Sequence, residues 1–448
     1  MKSIVLLIIT CLPFLACCQG RFLLRAQKPL YSKFELVNNV VLIPVTINGK
    51  TFSFLLDTGV KETILFANTQ DSLYLNNQRK IKFHGIGQDG GIDGILSTNN
   101  IVEISDIAVD SLHYLYVIQA NDLDISSDVG VEINGILGSH LFNSFPIKMD
   151  YIKKQLTVFP PGFDYSQDIR KYDQLDMIME RDRPYVFADI VFQSRRLNVK
   201  LLVDMGNTDP AMVFPFAIHD FQVNEPFVEE YIGRGFSGVI HGKRNRVKSI
   251  ALNNYLIKYP IVAYPDSSAV FDRKLAKDRV GSIGNQILQR FHVLIDYQNE
   301  KFFLKKNKNF NKPFTLNMAG MDVKHDGMEW SKVLMRVSQS KDENPMVPQN
   351  AGITINFDSQ NTQYNFILKP LYRVSGIRKD SPAQNAGVQV GDILVSINGR
   401  STGGLTLEKV MQKLQTAPKN HLKLRLDRQG TRIDVRFKLE DPIPYRGI

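Results

Sequence analysis

Cysteine is nearly absent, and its placement decides what that absence excludes. All three cysteines, Cys11, Cys17 and Cys18, fall within the first eighteen of 448 residues. Once that segment is removed, the chain holds no internal disulfide, no thiol nucleophile and no cysteine metal site. Histidine is sparse as well. The eight histidines include no pair at metal-ligand spacing, so neither a metal nor a cofactor is expected. Beyond the leader, no run reaches the ~18 apolar residues of a membrane helix. "GRGFSG" (233–238) lacks the Lys-Ser/Thr that closes a phosphate loop.

What is present begins with a leader. Lys2 precedes the apolar core "IVLLIITCLPFLA", and the small residues Ala16, Cys17 and Cys18 follow. A positive start, a short apolar run and small residues mark a signal peptide over 1–18, and so export to the periplasm or cell envelope. Two fates are open for the cleavage site. Cys17 after "FLA" resembles a lipoprotein site, where the new N-terminal cysteine is acylated as a lipid anchor, although Phe14 stands where leucine is usual. The alternative is plain cleavage near "ACCQ". The net charge is +10, but the basic residues are dispersed and the densest cluster, "KKNKNFNK" (305–312), reads as a linker. A basic surface is expected, not a nucleic-acid partner.

An internal repeat organises the first three hundred residues. "FSFLLDTG" (52–59) is repeated as "VKLLVDMG" (199–206), with Asp57 and Asp204 147 positions apart. "GILGSHLFNSFPIKMDY" from 135 is repeated as "GSIGNQILQRFHVLIDY" from 281, with Gly138 and Gly284 146 apart and Asp150 and Asp296 also 146 apart. A constant offset at independent landmarks is the mark of a duplicated domain. Each copy runs from alternating strands through an apolar run into Asp-x-Gly. A glycine-rich stretch follows, at 84–94 and at 233–242, and then an apolar-Gly segment that opens a short helix. Period-two alternation dominates, so both copies are expected to be mainly β. Asp150 and Asp296 lie outside the Asp-x-Gly frame and read as turn residues.

This order resembles the aspartic peptidases. The resemblance rests on Asp57-Thr58-Gly59 after a buried strand, the glycine-rich stretch and Ile136-Leu137-Gly138, and it covers roughly 35–305. It implies two tandem retropepsin-like β-barrel lobes related by a pseudo-twofold axis, at 35–165 and 172–306. It implies a catalytic pair, Asp57 and Asp204, supported by Thr58, Gly59, Met205, Gly206, Gly138 and Gly284. The flaps would be carried by Gly85, Gly87, Gly90 and Gly91 in the first copy and by Gly235 and Gly238 in the second. Two carboxylates about 3 Å apart cannot both ionise readily, so the pair holds one proton; aspartic-protease dyads are the standard example. The charged member can then act as base on water while the protonated one polarises the peptide carbonyl. One position departs from the family. Met205 stands where the threonine hydroxyl would hydrogen-bond across the lobe interface, and methionine cannot donate that bond.

After the linker, "SPAQNAGVQVGDILVSINGR" (381–400) resembles the core of a PDZ domain, which would span 313–441 with an insertion near 325–365. Such domains bind extended peptides, often C-termini, by strand addition. The carboxylate loop is placed at "MAGMDV" (318–323), around Gly320, Met321 and Val323, with "NAGITI" (350–355) as the alternative. Leu407 and Met411 would line the groove or serve only as core. The expectation is an exported aspartic endopeptidase acting on peptides or proteins, with a PDZ domain docking substrate or partner tails. The alternative is a weak or inactive peptide-binding relative.

Overall fold

A computed structural model describes residues 20–67, 73–83, 92–119, 124–193, 195–235, 238–270, 275–335, 353–355, 363–415 and 418–444. Strands dominate the described residues, so the fold is mainly β. The leader and Cys17 lie outside the described residues, as do the flap glycines Gly85, Gly87, Gly90 and Gly91.

The two copies are built alike. In the first, strands Val40–Ile47 and Lys50–Leu56 form a hairpin. Its turn, Asn48-Gly49, takes positive φ at both residues (47° and 90°), the backbone that an Asn-Gly hairpin turn requires. In the second, Arg183–Phe192 pairs with Arg195–Val203 in the same way. Each hairpin's second strand then receives a short parallel neighbour. Leu137 pairs with Leu56, and Ile283 pairs with Val203. These neighbours contain the apolar-Gly segments of the repeat. Their glycines are sterically required: a Cβ on Gly138 would lie 2.3 Å from Glu62 O, and one on Gly284 would lie 2.0 Å from Asp209 O. The backbone of each segment is thereby held against the Asp-x-Gly loop of its own copy.

The copies meet in one ladder. Ile147–Asp150 pairs antiparallel with Phe291–Asp296, with Ile147 opposite Ile295 and Asp150 opposite His292. Gln155–Val158 and Lys301–Lys306 flank this pair on either side, so equivalent strands from the two copies sit about a local two-fold. A single apolar cluster runs through both copies and includes Phe54, Leu56, Leu137, Val203, Met205 and Ile283. Asp150 and Asp296 act locally. Asp150 Oδ1 accepts from the amides of Ile152 and Lys153, and Asp296 accepts from Asn299 and from the Tyr165 hydroxyl.

The C-terminal module has a core of its own, built around Met321, Val374, Leu394, Val410, Leu414 and Leu424. Met321–Met335 and Gln363–Ile377 form a long antiparallel pair, so part of the segment read as an insertion extends this hairpin. Ile393–Ile397, His421–Arg428 and Thr431–Lys438 complete the sheet. Helix Leu407–Leu414 buries Leu407, Val410 and Leu414 and is capped by Thr406, whose side chain accepts from Lys409 N.

Candidate active site

The two Asp-x-Gly turns face each other. Each carboxylate lies against the glycine of the opposite turn: a Cβ on Gly59 would come within 2.7 Å of Asp204 Oδ1, and one on Gly206 within 2.3 Å of Asp57 Oδ2. Glycine at both positions is what allows this approach. The turns are held identically from behind, since Asp57 N donates to Leu137 O and Asp204 N to Ile283 O, both at 3.0 Å. Asp57 Oδ1 accepts from Gly59 N (2.7 Å) and from Gly206 N (3.1 Å), and Asp204 Oδ1 accepts from Asn207 N (3.1 Å). Both carboxyls crowd the same point, since a Cβ on Gly59 would lie 2.7 Å from Asp204 Oδ1 and 3.1 Å from Asp57 Oδ1.

The asymmetry of the repeat has a visible consequence. Thr58 Oγ1 donates to Val203 O (2.7 Å) and accepts from Met205 N (3.0 Å), so the first copy grips the second. Met205 gives no hydroxyl in return. Its side chain is fully buried in the shared core, where it contributes packing instead.

Charge is also unequal. Asp57 is pushed up to about 7, first by burial and then by the neighbouring Asp204 charge. Burial raises Asp204 as well, but Arg279 opposes the rise. Buried Arg279 donates from Nε to Gly281 O (3.1 Å) and lies over the Phe214 ring at 5.3 Å. Sequence reading gave no sign of this residue, because nothing local marks an arginine at the start of the second copy's parallel strand as a neighbour of Asp204. Burial therefore favours one proton held by the pair, and Arg279 favours the charge on Asp204.

A cavity of about 680 Å³ holds Asp57 and Asp204. Its walls come from both copies, from the hairpin Phe227–Gly235/Gly238–Arg246, and from the C-terminal module through Asn317, Asp322, Val323 and Met411. Gly235 and Gly238 pair at the tip of that hairpin. At the hairpin's base, buried Arg244 bonds Glu230 (2.7 Å) and Asp209 (2.8 Å), and Arg378 of the C-terminal module bonds the other oxygen of Glu230 (3.0 Å). One chain of ion pairs therefore links the C-terminal module, the hairpin and the loop after Asp204. Asp322 lies among these charges and is raised to about 6, first by burial and then by Glu230, against the pull of Arg244 and Arg378.

The expected peptide-binding loop faces inward in this structure. Gly320 N donates to Asn317 Oδ1 (3.0 Å), and the amides of Met318 and Ala319 reach Leu414 O (3.0 and 3.3 Å). Gly320 has φ 70° and Met321 is fully buried. Leu407 is buried against the first copy, where a Cβ on Gly130 would strike it at 2.5 Å. Val323 and Met411 line the cavity. The alternative loop at 350–355 is described only at 353–355, where Ile353–Ile355 is a strand.

One further cluster was invisible in sequence spacing. Asp110, His113 and His140 place their donor atoms within 4.8 Å of one another. His113 bridges Asp110 Oδ2 (2.7 Å) to Thr63 Oγ1 (2.8 Å), and His140 reaches the same Asp110 oxygen at 3.1 Å. Burial alone would raise Asp110, yet the two histidine bonds hold it well below the carboxylate range, while burial lowers His113. The cluster is satisfied as a hydrogen-bonded network beneath Phe22, which packs on both rings.

Comparison with known proteins agrees with this geometry in two places. Residues 43–141, which contain Asp57-Thr58-Gly59 and Gly138, match the aspartyl protease family. Residues 373–428 match the PDZ domain family. The C-terminal region is also 45% identical over 65 residues to the PDZ domain-containing protein MAGIX of Mus musculus, a match covering 13% of this chain and 20% of that protein. The chain thus spans about a fifth of that relative's length.

Proposed function

From an aspartyl protease domain joined to a C-terminal PDZ domain, we propose an exported aspartic endopeptidase whose dyad is Asp57 and Asp204. The observation that carries this reading is the mutual approach of the two turns, each carboxylate resting on the opposite glycine. In the proposed reaction, water between the carboxyls gives a proton to Asp204 and its oxygen bonds to the peptide carbonyl carbon. Protonated Asp57 hydrogen-bonds the carbonyl oxygen as negative charge develops there. When the tetrahedral intermediate collapses, the C–N bond breaks and the amine leaves with the proton held by Asp204. The hairpin Phe227–Gly235/Gly238–Arg246 would cover the peptide and keep bulk water out. Export, and a lipid anchor at Cys17, are proposed on the leader sequence alone. The C-terminal module is proposed to dock peptide tails. A tail at 318–323 would have to displace Asn317 Oδ1 from Gly320 N and Leu414 O from the two preceding amides.

Purified protein is expected to cleave an unfolded polypeptide, and Asp57→Ala to abolish cleavage. Equal cleavage by both proteins contradicts the proposal. Buried Met205 favours a second reading, a peptide-binding protein without turnover. If wild type binds peptides but cleaves none, and Met205→Thr restores nothing, that second reading stands.

A further inference from the structure

One end of the cavity carries two guanidinium groups, of which Arg279 acts on Asp204 and Arg183 has no part in the dyad. Arg183 opens the hairpin strand of the second copy, and Arg279 opens the parallel strand beside it. Both line the cavity, together with Tyr185, Leu202 and Ala276, which form a small apolar cluster there. Arg183 Nε is buried with no hydrogen-bond partner. Its cross-strand neighbour Glu180 is ion-paired to Lys200 instead. Arg279 is fastened through Nε to Gly281 O, and Tyr185 lies close enough to act on it. Among the described residues, neither arginine has a carboxylate partner at ion-pair distance, whereas Arg244 in the same cavity has two. Arg279 feels both Arg183 and the Asp204 charge, so among the described residues it is the Arg183 charge that is left without an anion, which is costly in a cavity wall.

We infer that Arg183 and Arg279 form an anion subsite beside Asp204, which selects peptides carrying a carboxylate next to the bond laid over the dyad. Arginine suits this task. Its planar fork accepts a carboxylate bidentately, and Arg279 is already fixed in place by its own Nε and by Phe214. Two sources offer that group: an acidic side chain, or the free C-terminus of a short peptide. The inference deepens the peptidase reading and rests on it for the position of the bond, but not for the binding of the anion.

The test uses the full chain and three labelled peptides of one sequence: Glu with a free C-terminus, Gln with a free C-terminus, and Glu with an amidated C-terminus. Binding is measured to the Asp57→Asn protein, and cleavage is measured with wild type. The carboxylate peptide should bind about 10- to 100-fold more tightly than the matched peptide lacking that carboxylate. The Gln and amide arms identify which carboxylate is read. Arg183→Gln, introduced beside Asp57→Asn, should erase the preference, and Arg183→Lys should keep part of it. Arg183 Nε has no partner to lose and the Arg183 charge repels Arg279, so thermal unfolding of Arg183→Gln should match or exceed that of its parent. Equal binding of all three peptides overturns the inference. So does a charge preference that survives Arg183→Gln, since it would belong to the C-terminal module. Charge-selective binding erased by Arg183→Gln, without any cleavage by wild type, would leave the subsite standing and remove the peptidase reading. Cleavage indifferent to charge would do the reverse.

Discussion

Thr58 and Met205 divide a task that one residue type would share in a symmetric site. Thr58 satisfies two buried backbone groups of the other copy. Thr58→Val should therefore cost about 2–4 kcal/mol, because both Val203 O and Met205 N lose their partner without gaining water; urea unfolding measures this. Met205→Ala should cost about 2–5 kcal/mol for a different reason, the cavity left in the shared core. Arg279 sets the proton balance. Burial lifts both dyad carboxyls, and Arg279 pulls Asp204 back. Activity should fall as pH rises through about 7, where Asp57 loses its proton. It should fall again in acid as Asp204 gains one. Arg279→Gln should move the acid limb of the kcat/KM profile upward and leave the alkaline limb nearly in place; an unmoved acid limb means Arg279 does not tune the dyad. Stability follows the same shift. Asp57 is raised above its ordinary 3.8, so its proton stabilises the fold fully in acid, and this contribution disappears as pH passes about 7. Relative to wild type, Asp57→Asn should grow more stable from pH 4 to pH 8.

At the scale of elements, strands and turns were legible because the repeat stated them twice. The Asn48-Gly49 hairpin, the Asp-x-Gly turns and the apolar-Gly segments follow from residue types whose backbone preferences act locally. The partners these elements find were not legible. Nothing in "VKLLVDMG" announces that Arg279 will start the strand beside it, and the separation of His113 from His140 hides their meeting on Asp110. Arg244 is a third example. It reads as one basic residue among many, yet it joins the hairpin over the cavity to Asp209 in the loop after Asp204. Replacing it with Gln leaves the largely buried Asp209 without its cation and Glu230 with Arg378 alone. The expected loss is about 3–5 kcal/mol in denaturant unfolding, with faster amide exchange along Phe227–Arg246. An unchanged exchange pattern would show that the ion pairs do not hold the hairpin.

At the scale of the molecule, the duplicated unit and the C-terminal module keep separate apolar cores but share charges. Composition shifts and motifs located the module; its contact through Arg378 and Glu230 could not be read from them, since an ion pair across domains has no local signature. Asp322 makes this contact sensitive to pH. It faces Glu230, Asp128, Arg244 and Arg378 and is raised to about 6. Its protonated form favours the docked state, so that contribution is full in acid and fades as pH rises through about 6. Small-angle scattering should find the module more loosely held at pH 8 than at pH 5. Asp322→Asn should remove the difference, and a pH effect persisting in that variant would assign it to another group.

The account's central claim is that Asp57 and Asp204 work as one unit. The direct measurement is kcat/KM for peptide cleavage by wild type, Asp57→Asn, Asp204→Asn and the double variant. Each single variant should lose at least about 1000-fold, and the double variant should lose little more, because groups that act together cannot be removed twice. A single variant that stays within a few-fold of wild type, or two losses that multiply in the double variant, would contradict it.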